Sequence, residues 1–114
     1  MREIITAAFI GVAILLFLAS IPLKLRKVKP NWWYGLRTPT IVKNPDIWYP
    51  INQAAAQQAM VLAVLMVVVA MVTYYGFDAL SFELITAINA SFAVIGLSII
   101  TINGIVKARK LARK

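Results

Sequence analysis

The chain of 114 residues is 61% hydrophobic and 14% charged, against about 45–50% and about 25% in an average soluble domain. A soluble chain this short could not bury so much apolar surface, so an ordinary soluble domain is excluded and disorder is disfavoured. Twelve Lys and Arg face four Asp and Glu, for a net charge of +8. In a membrane chain that excess points to topology and anionic headgroups, and no soluble module is left over to carry nucleic acid.

The chain has no Cys and no His. That removes disulfides, thiolate chemistry, the commonest general base and the commonest transition-metal ligand. The expectation is a protein that is not an enzyme, with no cofactor and no metal.

The first uncharged stretch covers residues 4–23 and is long enough to span, since a membrane helix needs about 20 apolar residues. Arg2 beside Glu3 makes a poor signal-peptide start. A basic cluster follows the stretch, as it follows a retained span.

Segment 24–50 comes next, far longer than the roughly 2–8 residues of a common helix–helix connection. Pro30, Gly35, Pro39, Pro45 and Pro50 punctuate it. Gly35 suits a positive φ angle, and Thr38 before Pro39 is biased toward extended backbone. Asn44-Pro45-Asp46 reads as a helix start: Asn44 as N-cap, Pro45 in the first position, Asp46 at the positive dipole end. This helix runs into the second span at 54–75. Pro50 is expected to bend it or to mark an interfacial segment.

Trp48 and Asn52 share one face of that helix. Asn52, Gln53, Gln57 and Gln58 lie at its membrane entry. Either these amides face cytoplasm and headgroups, or the loop folds back and satisfies them internally. In the second case Arg37, with its planar fork of donors, is the expected hub, bonding Asn52, Asp46 or backbone carbonyls.

The connection 76–83 holds acidic but no basic residues. The third span covers 84–106, and a basic tail covers 107–114. Thr86, Asn89, Ala93, Gly96, Ile100 and Asn103 form a small and polar stripe expected to face the bundle interior or a second protomer. Ala7 and Gly11 in the first span, and Ala55, Ala59 and Ala63 in the second, offer small surfaces for close packing.

Cations concentrate in 24–50 and in the tail, which places both in the cytoplasm. The expected architecture is an all-α integral membrane protein of the cell membrane, a single domain with three transmembrane helices. Its N-terminus lies outside and its C-terminus in the cytoplasm, with an ordered cytoplasmic loop between helices 1 and 2. Trp32, Trp33, Tyr34, Trp48 and Tyr49 mark the cytoplasmic interface; Tyr74, Tyr75 and Phe77 mark the outer one.

Asn31, Tyr34-Gly35-Leu36-Arg37-Thr38, Trp48-Tyr49 and Asn52, in that order between two spans, resemble the SdpI family of small bacterial and archaeal membrane proteins. The likeness covers about residues 20–59. Family members often carry glycine shortly after the Asn, where this chain has Ala54-Ala55-Ala56. The longer founding member is an immunity protein that protects against a secreted killing peptide and takes part in signalling to a repressor. The resemblance therefore implies a binding or immunity role in which Asn31, Tyr34, Gly35, Arg37, Thr38, Asp46, Trp48 and Asn52 form a recognition or structural centre.

Membrane lipids, a peptide toxin or protein partner, and a second copy of the chain are the expected partners. A small oligomeric transporter or channel is the alternative, motivated by the stripe in the third span. A membrane enzyme built on Tyr34, Arg37, Thr38 and Asp46 has the thinnest support, because one carboxylate is little equipment for catalysis.

Overall fold

The computed structural model describes all residues except Trp33, Phe77 and Lys114. The expectations for those aromatic rings and that charge lie outside the described residues. Four helices form: α1 at Arg2–Lys24, α2 at Pro39–Val42, α3 at Pro45–Tyr75 and α4 at Phe82–Ala112. No strand occurs among the described residues.

The three long helices are apolar enough to cross a membrane. At 1.5 Å per residue the 31 residues of α3 or α4 rise about 46 Å, while a bilayer's hydrocarbon is about 30 Å thick. Both helices therefore outrun the apolar layer, and α2 packs on them at one end.

Each boundary has a local cause. The α1 helix ends where Arg26 takes a positive φ of 59° and the Lys27 N–H donates back to the Pro22 carbonyl at 2.9 Å, the closure of a left-handed C-terminal cap. Thr38 is extended and caps α2, its Oγ1 accepting from the Ile41 N–H at 3.4 Å, with Pro39 following.

The α3 helix starts at Pro45, as Asn44-Pro45-Asp46 predicts, and continues through Pro50. Asn44 holds the N-cap backbone position, but its side chain does not cap. Its Nδ2 donates instead to the Thr40 carbonyl at 2.7 Å. The α4 helix is capped by Ser81, whose Oγ accepts from the Leu84 N–H. It runs past residue 106 into the basic tail, because Lys, Arg, Ala and Leu favour helix and cations suit a helix C-terminus.

Packing divides along the bundle. In the middle, Ala13, Leu62, Ala63 and Met66 are buried together, with Phe17, Phe92 and Ile100 against them. At the end carrying Met1, Arg2 donates to the Tyr74 carbonyl at 2.9 Å and lies 5.4 Å from the Tyr74 ring centre. Below it, the buried Asn89 Nδ2 donates to Thr73 Oγ1 at 3.1 Å and to the Ile85 carbonyl at 2.9 Å. The opposite end holds a second core of Ile41, Ile47, Trp48, Ile51 and Ala108, with Val28 and Leu36 packed on it. The segment between α1 and α3 is thus a folded cap.

Candidate functional site

The cap is built by a few side chains that substitute for secondary structure. Asn31 folds the first turn. Its Nδ2 donates to the Lys29 carbonyl and its Oδ1 accepts from the Tyr34 N–H, both at 2.7 Å. Tyr34 then reaches α1, where its Oη donates to the Ala19 carbonyl. Gly35 follows at φ +93°, a left-handed conformation that glycine adopts without steric cost.

The next residue, Leu36, is held by Asn52 of α3. Its N–H donates to Asn52 Oδ1 at 2.6 Å, and Asn52 Nδ2 donates to the Leu36 carbonyl at 3.4 Å and to the Trp48 carbonyl at 3.2 Å. Asn52 is 1% exposed, so these bonds stand in for water lost on burial. A Cβ on Gly35 would lie 2.5 Å from Asn52 Oδ1. The glycine is needed for space as well as for φ.

Two further ties fix the cap. Trp48 is fully buried, and its Nε1 donates to the Val28 carbonyl at 2.9 Å. Gln53 Nε2 donates to the Lys24 carbonyl at 3.0 Å, while its Oε1 accepts from Arg26 Nε at 2.9 Å. Gln57 is exposed and Gln58 half-buried.

Of the partners expected for Arg37, a backbone carbonyl is met but Asn52 and Asp46 are not, and Arg37 does not become the hub. Arg37 is exposed, and its Nη1 reaches only the Trp32 carbonyl at 3.5 Å. Asn52 pairs with the backbone of Leu36 instead. A neutral amide costs far less to enclose than a guanidinium, and two of its groups match a backbone N–H and C=O. Asp46 is also exposed, in the first turn of α3. Asn31, Tyr34, Gly35, Trp48 and Asn52 are brought together; Thr38 caps α2 beside them; Arg37 and Asp46 face outward.

The small and polar packing positions of α1, α3 and α4 divide in the same way. Gly96 faces Leu62 of α3, and Asn89 and Ala59 are buried. Asn103 is exposed, and Gly11 has no atom within 4 Å of where its Cβ would lie. The contact falls one residue later, at Gly104, where a Cβ would run into Leu36 and come 3.6 Å from Ile51 Cγ2. Gly104 and Ala108 complete the site without belonging to any motif, and Leu36, the unmarked apolar position of the motif, packs on them. The four-residue spacing of small positions at Gly96, Gly104 and Ala108 with Ile100 is the one signal that points to them.

Beneath the cap lies a cavity of about 260 Å³, half open to the outside. Tyr34, Gly35, Leu36 and Asn52 roof it. Leu16, Ser20 and Leu23 of α1, Ala55, Ala56 and Ala59 of α3, and Leu97 and Ile100 of α4 wall it. The motif residues therefore shape this cavity as well as the fold.

The model of the SdpI/YfhL protein family matches residues 27–106, from the start of the cap through most of α4. Neither a curated protein nor a solved structure matches the chain.

Proposed function

The chain belongs to the SdpI/YfhL family, and we propose that it is a membrane-embedded binding protein of the immunity type, which protects its cell against a membrane-active peptide or a lipid-linked ligand. The observation that carries this reading is the alignment of motif and cavity. Leu36 and Asn52 make the cap's central hydrogen bonds, Gly35 leaves them room, and all three also roof the cavity. In this reading the protein acts by holding a ligand, with no bond made or broken.

Its orientation follows from charge. Cations of the cap and of the end of α4 lie at one end of the bundle, because Leu36 rests on Gly104 and Ala108 joins the cap core. Lys- and Arg-rich flanks stay in the cytoplasm, so the cap faces inward and the 76–81 connection faces outward. In this reading the protein lies in the cell membrane, with the cavity in its inner half.

Cells producing the full chain, challenged with membrane-active killing peptides, test the reading. Increased survival relative to cells lacking the chain is expected. Unchanged sensitivity, with the protein present in the membrane, contradicts it.

A further inference from the structure

The cavity under the cap restricts what it can hold. Polar groups that reach it are already turned to backbone: Ser20 Oγ donates to the Leu16 carbonyl at 2.7 Å, and Thr101 Oγ1 donates to the Leu97 carbonyl at 2.9 Å. Asn52 is taken up by Leu36 and Trp48. What faces the space is mostly apolar.

The exposed rim of the cavity lies on α1 and α4. Ser20, Ala56 and Ala59 are buried at the floor, while Ala19 on α1 and Leu97 and Thr101 on α4 are exposed at the lips. A ligand therefore enters between α1 and α4, from the side, at the level of the apolar spans.

Size suits a hydrocarbon chain. The wall from Leu16 to Leu23 rises about 10 Å at about 1.5 Å per residue, and the cavity of about 260 Å³ along it takes part of one such chain, which brings no polar group that the apolar walls would leave unpaired. Charge supplies the other end: half-buried Lys24 directly follows Leu23, with exposed Arg26 and Lys27 beyond it. Cations at the headgroup level attract anionic lipid.

We infer that the slot binds one hydrocarbon chain of an anionic membrane lipid, which enters between α1 and α4 and leaves its headgroup at Lys24 and Lys27. This names the ligand class of the cavity and rests on reading that cavity as a binding site.

Mass spectrometry of the intact full chain in mild detergent tests it, after incubation with phosphatidylglycerol, phosphatidylcholine or a free fatty acid of equal chain length. One phosphatidylglycerol retained per chain is expected, at least tenfold more tightly than phosphatidylcholine. Ala19→Trp and Thr101→Trp, on opposite lips, should each weaken retention at least tenfold with helicity unchanged. Lys24→Gln should reduce the preference for phosphatidylglycerol.

Preferential retention of the fatty acid, lost in the same tryptophan variants, supports the chain site with the free acid as its source. No lipid retained by the wild-type chain, or equal retention by wild type and both tryptophan variants, overturns the inference. Should Ala19→Trp lose its helicity, Thr101→Trp and the wild-type comparison decide. Lipid binding without protection from killing peptides overturns the immunity reading alone; protection without lipid binding overturns this inference alone.

Discussion

At the scale of single residues, the cap depends on groups that do two jobs. Gly35→Ala meets both a positive φ and Asn52 Oδ1. It should cost about 1–3 kcal/mol in thermal unfolding in detergent, the usual size of local backbone strain. Asn52→Leu leaves the part-buried Leu36 N–H without its acceptor and should destabilise by about 1–3 kcal/mol for that group alone. Arg37→Lys should change stability by less than about 0.5 kcal/mol, as exposed substitutions do; a loss as large as that of Asn52→Leu would restore Arg37 as the hub. The sequence draws attention to Arg37 because charge near a membrane is conspicuous. What decides the hub is the cost of burial, and that favours the amide.

At the scale of elements, α3 joins cap and bundle. Its start is legible because Asn44-Pro45-Asp46 combines three local signals, even though the Asn44 side chain turns back to Thr40. The α2 helix is not legible, since four residues offer no periodicity and only Thr38-Pro39 announces them. The shift from Asn103 to Gly104 is likewise invisible in sequence. Steps of three and four residues both stay on one helical face, and only the position of Leu36 selects between them.

Gly104→Ala forces Leu36 aside and should cost about 1–3 kcal/mol, the range for overpacking, read as a lower melting temperature. Asn89→Leu should cost less, on the order of 0.6 kcal/mol, as typical interhelical hydrogen bonds in membranes do. Thr73 Oγ1 keeps its own bond to the Val69 carbonyl.

At the scale of the whole molecule, composition already specifies three spans and the charge excess one cationic end. The arrangement of that end depends on contacts between residues far apart in sequence. A chain with no Cys suits single-cysteine tests of both. For orientation, Ala79→Cys should react with a membrane-impermeant maleimide in intact cells, and Lys43→Cys only after lysis; the reverse pattern would invert the topology. For the cap, Leu36→Cys combined with Gly104→Cys is the most direct measurement, because it joins the centre of the motif to the end of α4. The account predicts rapid disulfide formation within one chain under mild oxidation, and little for Arg37→Cys with Gly104→Cys. No crosslink in the first pair, or equal crosslinking in both, would contradict a docked cap.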